Sequence, residues 1–361
     1  MRYIDEYRNK DILLRLSRQI HKISRRKAVF MEVCGTHTMA VHKFGIPSIL
    51  PENIRLVSGP GCPVCVTGLD FIDQAIELGK RKDVTLVTFG DLMKVPGSSS
   101  SLDKERAAGA DVRIVYSVMD ALEMAANKPD RKVIFLGIGF ETTAPTTAVA
   151  ILQAEKQKLL NFYVLSTHKI MPPVMKVLVR EGVRIDGYLA PGHVSAITGT
   201  GIYRGIAKDA GIPVVVAGFE PVDIVQAILM LVEQVEKSEA RVAIQYRRVV
   251  KPGGNTVARK AMETVFEPAD DDWRGFGTIP GSGLRIRKRF ERLDAKKYFG
   301  IKTTRAREPK GCICGELLKG LKTPLDCRLF AKACHPENPV GACMVSGEGI
   351  CAAYYRYERK K

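Results

Sequence analysis

Nine cysteines in 361 residues are the side chains here best suited to redox chemistry and soft-metal binding. Six of them close the chain in the pattern Cys312-x-Cys314-x12-Cys327-x6-Cys334-x8-Cys343-x7-Cys351. Structural zinc favours paired CxxC knuckles or short Cys/His mixtures. Irregular intervals without a CxxC suit an iron–sulfur cluster that gathers thiolates from separate loops, with zinc as the alternative. A 4Fe-4S cube takes four thiolates, so four of Cys312, Cys314, Cys327, Cys334, Cys343 and Cys351 would bind it. The remaining two are a spare pair that can form a disulfide.

Cys62-Pro63-Val64-Cys65 is a CxxC on a predicted strand-to-helix turn. Backbone amides at a helix start favour thiolate, which suits a redox dithiol or a metal pincer. Cys34 ends another predicted strand in Val33-Cys34-Gly35-Thr36-His37-Thr38. With His37 it reads as a thiolate beside a proton acceptor, or as a soft ligand with a hydrogen-bonding neighbour. Cys34, Cys62 and Cys65 together make a three-thiolate set for a soft iron centre. Later loops carry Glu141, Thr142, Thr143, His193, Ser195, Glu220 and Asp223, which supply proton-transfer and hydrogen-bonding groups or simply cap helices. There is no GxxxxGK[ST] loop, and Gly137-Ile138-Gly139 lacks the third glycine of a dinucleotide fingerprint.

These residues need elements to hold them. Leu13, Leu16, Ile20 and Ile23 predict an amphipathic helix over about residues 5–24. Runs nearly continuous in Val, Ile, Leu and Phe follow at Ala28–Val33, Ile54–Val57, Val84–Phe89, Val112–Tyr116, Val133–Ile138, Phe162–Leu165, Ile185–Ala190 and Val214–Ala217. Strands buried on both faces read this way, and their alternation with helices predicts parallel α/β sheets. Pro60-Gly61-Cys62 resembles Pro191-Gly192-His193, Cys34-Gly35-Thr36 resembles Phe140-Glu141-Thr142, and Phe89-Gly90-Asp91 resembles Gly218-Phe219-Glu220. The expectation is two related Rossmann-like domains, 1–128 and 129–268, with His193 and Glu141 facing Cys34 across a cleft. A small cysteine-rich 4Fe-4S domain follows over 269–361, introduced by a glycine-rich connector at 275–283.

Apolar content of 45% with 26% charged residues excludes a disordered chain. No run reaches the ~20 apolar residues of a membrane span, and the first residues lack a signal peptide's apolar region. The expectation is a cytoplasmic protein, where clustered cysteines serve metals or transient redox pairs. The net charge of +17 owes much to Arg285, Arg287, Lys288, Arg289, Arg292, Lys296, Lys297, Lys302, Arg305, Arg307 and Lys310. No zinc-finger spacing or aromatic RNA-binding signature accompanies them, so nucleic acid is disfavoured.

The stretches Cys34–Thr38, Gly59–Cys65, Gly139–Pro145, Pro191–Ser195 and Gly218–Pro221, with the six-cysteine tail through Pro336–Pro339 and Ser346–Gly349, closely resemble the HypD family of nickel–iron hydrogenase maturation factors. The resemblance spans residues 34–355. It implies a scaffold, working with the small chaperone HypC, on which iron acquires two cyanides and one carbon monoxide to give Fe(CN)2CO for the hydrogenase large subunit. Cyanide would come from the thiocyanate-bearing C-terminus of HypE. A 4Fe-4S cluster, in surroundings similar to those of ferredoxin–thioredoxin reductase, would sit behind a dithiol, and turnover would need the partners. Cys34 then reads as the principal iron thiolate and Cys62 and Cys65 as redox pair or auxiliary ligands. Glu141, Thr142, Thr143 and His193 read as surrounding groups. The rival classes are a cluster-dependent thiol–disulfide reductase and a basic RNA-binding protein with a structural cluster.

Overall fold

Unbroken apolar runs become strands when neighbours can cover both faces, and the computed structural model, which describes residues 5–301, 306 and 308–358, forms all eight of those expected. They are β1 (Ala28–Glu32), β2 (Ile54–Ser58), β3 (Val84–Thr88), β4 (Val112–Ile114), β5 (Lys132–Gly139), β6 (Phe162–His168), β7 (Gly187–Pro191) and β8 (Val214–Ala217). Every residue of β3, β7 and β8 is buried, as the lack of alternation requires. A short further strand, β9 (Val242–Ile244), escaped the sequence reading. The opening helix runs over Lys10–Ile23, where the Asn9 side chain accepts from the Asp11 and Ile12 amides.

The strands build two parallel sheets with orders β2-β1-β7-β8-β9 and β4-β3-β5-β6. This corrects the expected division at residue 128. β1 pairs with β2 on one side and with β7 on the other, so Phe30 lies opposite both Leu56 and Gly187. The chain leaves the first sheet after β2, builds the whole second sheet from β3 to β6, and returns. The loop resemblance therefore does not mark two consecutive related halves, because Pro60-Gly61-Cys62 and Pro191-Gly192-His193 both end strands of the same sheet.

The connector expected at 275–283 is instead half of an antiparallel hairpin, β10 (Phe266–Trp273) with β11 (Gly277–Ile286). Pro268 and Asp270–Asp272 disguise β10 in the sequence. Trp273 anchors it, fully buried, with its indole nitrogen donating to Ser282 Oγ at 2.8 Å.

The cysteine-rich stretch is tied to both sheets. Ser346 Oγ donates to Asp91 beyond β3 at 2.7 Å, and Glu348 accepts from Thr36 Oγ1 beyond β1 at 2.5 Å. Cys314, Leu317, Cys343 and Met344 share a core with Met31, Cys62 and Phe140. Among the described residues no helix is long and apolar enough to cross a membrane.

Candidate metal and redox centre

Cys34 is the N-cap of the helix Gly35–Lys43, with φ −151° and ψ 125°. The neighbouring loop approaches so closely that only glycine fits at 61. Its carbonyl accepts the Gly35 amide at 3.0 Å, and a Cβ there would lie 2.1 Å from the Cys34 nitrogen. Burial pushes the Cys34 thiol up to about 12, and the Glu348 carboxylate adds to the rise. The His37 and Thr36 amides lean toward the sulfur and oppose it only in part. This thiol keeps its proton at neutral pH, and a metal must displace that proton to bind. Behind it, the buried Glu32 is pushed up to about 8 by desolvation and accepts from Thr38 Oγ1 at 2.9 Å.

His37 does not pair with the Cys34 thiol. Its Nε2 lies 2.9 Å from the Gly218 carbonyl, and its Nδ1 has no partner among the described residues. Burial lowers its pKa to about 4, so the ring is neutral. It stacks on Phe219 with centroids 4.7 Å apart, and the exposed His193 stacks on the same ring at 3.9 Å. Partial burial also lowers His193.

Glu141 is buried and pushed up to about 7 by desolvation; Oε1 accepts the Met171 amide at 3.0 Å, while Oε2 has no partner. Burial pushes the Tyr203 phenol well up, and its hydroxyl lies 3.2 Å from Ser195 Oγ. Nothing in the glycine-rich sequence context of Tyr203 marked it. Thr142 is half-buried in the same loop, while the Thr143 hydroxyl donates to the Ile138 and Phe140 carbonyls of its own turn. Glu220 and Asp223 are committed to Arg8 and Arg248, at 2.5 and 2.6 Å.

Cys62 caps the short helix Pro63–Val66 and accepts the Cys65 amide at 3.3 Å. The expected thiolate does not arise at Cys65. Burial, with the adjoining Cys343 and Cys62 thiols, pushes it well above its ordinary value. Cys65 touches both Cys62 and Cys343, Cys343 touches Cys314, and Cys314 touches Cys312. These contacts depress Cys343, with Cys314 the stronger cause and Cys65 next. All nine cysteines are free thiols.

All six tail cysteines line one small cavity, otherwise walled by apolar side chains such as Leu317, Leu329 and Met344. Among the described residues no three His, Cys, Asp or Glu side chains are placed to hold one metal ion, so the expected Cys34–Cys62–Cys65 convergence is not formed. A cavity ringed by soft thiols and little else has the donor chemistry of a polynuclear iron–sulfur group. In that sense the residues fit.

Three arginines of the basic run are paired internally. Arg285 and Arg287 both bind Glu267, at 2.5 and 3.4 Å, and Arg292 binds Glu155 at 2.6 Å. Lys302, Arg305 and Arg307 lie outside the described residues.

Residues 11–358 match the HypD family, described as "Hydrogenase formation hypA family". The hydrogenase maturation factor HypD of Rhizobium leguminosarum bv. viciae is 46% identical over 370 residues, covering 99% of this chain and 96% of the relative. That of Cupriavidus necator is 45% identical, covering 100% and 98%. That of Escherichia coli K12 is 43% identical, covering 100% and 99%. The cysteine tail, the Cys34 loop and the CxxC turn all fall within these matches, and the chain belongs to the HypD family of hydrogenase maturation factors.

Proposed function

We propose that this protein is a cytoplasmic scaffold on which iron, as substrate, is held by Cys34 and acquires two cyanides and a carbon monoxide. HypC would be its partner and HypE the cyanide donor. The observation that carries the reading is the line of buried thiols from Cys62, next to the Gly61 that packs on the Cys34 backbone, through Cys65, Cys343 and Cys314 into the six-cysteine cavity. Cys314 and Cys343 are the two tail cysteines on that line toward Cys65. This assigns Cys312, Cys327, Cys334 and Cys351 as ligands of a 4Fe-4S cluster and Cys314 with Cys343 as the spare dithiol. When bound, the cluster supplies electrons singly.

The remaining chemistry belongs to the chain. Iron binding at Cys34 releases the thiol proton, which makes loading favourable as pH rises. Freeing cyanide from an S-cyanated cysteine breaks one S–C bond and takes two electrons and one proton. Cys62 and Cys65 supply both electrons by forming a disulfide and release two protons; one reprotonates the donor's sulfur and the other is lost. Glu141, pushed up to about 7, is suited to hold that proton. His37, neutral and fixed on Gly218, orients Phe219 and His193 at the rim.

Mössbauer and infrared spectra of anaerobically purified protein, with HypC present, test the scaffold directly. The expected result is low-spin ferrous iron with cyanide and carbonyl stretches, beside about four further irons and four sulfides per chain. A cluster with no such additional iron under any loading condition would leave a thiol–disulfide reductase as the better account.

A further inference from the structure

Arg274 follows the hairpin strand β10 and is buried, its guanidinium fully excluded from solvent. Among the described residues, all three of its side-chain nitrogens lack a hydrogen-bond partner. The nearest carboxylate, Glu308, sits 3.4 Å from Nε and is itself 43% exposed. Guanidinium stays charged throughout the physiological range and carries five donor hydrogens, so burying it with none of them bonded is costly unless an anion is to be served.

Its position says which anion. The Arg274 amide donates to the carbonyl of Val66, the residue after Cys65, at 3.0 Å. The next residue, Gly275, packs so tightly on Gly315 that a Cβ there would lie 2.3 Å from the Gly315 Cα, one residue past Cys314. The Arg274 charge acts on Cys314, and the Glu308 charge acts on Cys312. The backbone at Arg274 and Gly275 is therefore fixed between the CxxC turn and the Cys314 side of the six-cysteine cavity.

We infer that Arg274 is the counter-cation of the sulfur cavity, a buried positive charge that stabilises the more negative, reduced state of the cluster held there and so sets its potential. The inference rests on the cluster reading above. It goes beyond that reading by assigning a tuning residue outside the cysteine set. Charge near a cluster and hydrogen bonds to its sulfurs are general determinants of potential. Glu308, partly neutralising Arg274, works in the opposite direction.

The test is a potentiometric titration of the full-length anaerobic protein at fixed pH, followed by electron paramagnetic resonance, with iron and acid-labile sulfide counted in every sample. Arg274→Met should lower the equilibrium constant for reduction at least about tenfold, a fall of 59 mV for a one-electron couple. Arg274→Lys keeps the charge and should stay within about threefold of wild type. Glu308→Gln, at a half-exposed position that tolerates change, should shift the couple upward. A fully loaded Arg274→Met protein that titrates like wild type overturns the inference, as does Arg274→Lys falling equally far. Should Arg274→Met fail to fold, Glu308→Gln decides alone, and an unmoved or lowered couple overturns it. Wild-type protein without labile sulfide would sink the cluster reading itself, a result distinct from an intact cluster with an unmoved potential.

Discussion

Cys34 and Cys65 occupy neighbouring strand ends of one sheet, yet they are opposite kinds of cysteine. Cys34 faces no other thiol in contact; its sulfur meets backbone amides and the carboxylate of Glu348, and it is held protonated. Cys65 touches two thiols and is one link in a row that runs into the tail cavity. An isolated thiol gains nothing by oxidation to a disulfide but offers a metal one soft ligand with room for others. A thiol in a row does the reverse. The difference separates holding a cargo from moving electrons, and each part of it can be broken independently.

The largest effect is expected at Cys34. Cys34→Ala should abolish retention of low-spin iron while leaving tail iron and sulfide at wild-type content, measured by Mössbauer spectroscopy and metal analysis. Cys34→Ser should fail nearly as far, since a hydroxyl is a hard donor for soft, low-spin iron. Normal hydrogenase maturation by Cys34→Ala would end the assignment of cargo to this residue.

Cutting the row should spare the cargo. Cys343→Ser removes the contact through which Cys65 meets Cys314. Iron should stay on Cys34, but single-turnover release of cyanide from an S-cyanated peptide should not repeat after the first dithiol is spent. The steady-state rate should drop at least about tenfold, corresponding to about 1.4 kcal/mol. An unchanged rate would show that electrons reach Cys62 and Cys65 by another path.

How much of this was legible in the sequence depends on what each feature requires. The central strands were readable because burial on both faces leaves an apolar run that no loop imitates, and the edge strands β2 and β4, though partly exposed, keep enough Val, Ile and Leu to be found. Sheet membership was not, because the pairing of β1 with β7 is a choice of edge that no local residue encodes. The β10–β11 hairpin was hidden for the opposite reason. The exposed face of β10 carries Asp and Pro, and in that strand only Trp273 and Phe266 mark the buried one. At the site, the cysteines announced themselves by type and spacing. Glu32, Tyr203 and Arg274 did not, since their importance comes from burial without full compensation, a property of the fold.

A smaller change concerns the electrostatics that keep Cys34 isolated. Glu348 raises the Cys34 thiol by its charge, so Glu348→Gln should let it ionise at lower pH. The alkylation rate of iron-free protein at Cys34, followed by peptide mass spectrometry across pH, should rise at lower pH than in wild type. No displacement of that profile would mean that burial alone accounts for the protonated thiol.

The smallest expected effect is on stability, through Glu32 behind Cys34. Its folded pKa of about 8 lies above the ~4.3 of an unfolded glutamate, so between these values the native chain holds a proton that the unfolded chain has released. Stability from this group is complete below the unfolded pKa and is lost as pH rises toward 8. Glu141, pushed up to about 7, acts in the same direction and leaves part of the slope when Glu32 is changed. Glu32→Gln mimics the protonated acid. It should therefore melt close to wild type near pH 5 and a few degrees above it near pH 8, with a shallower decline between. The carboxyl also accepts from Thr38, and Ser58 lies within its reach, so a lost acceptor would lower the mutant equally at both pH values. The pH-dependent difference, not the absolute melting temperature, is therefore the quantity that isolates the buried proton. Parallel melting curves across the range would show that Glu32 is ionised in the folded protein and that a charge, not a neutral acid, stands behind Cys34.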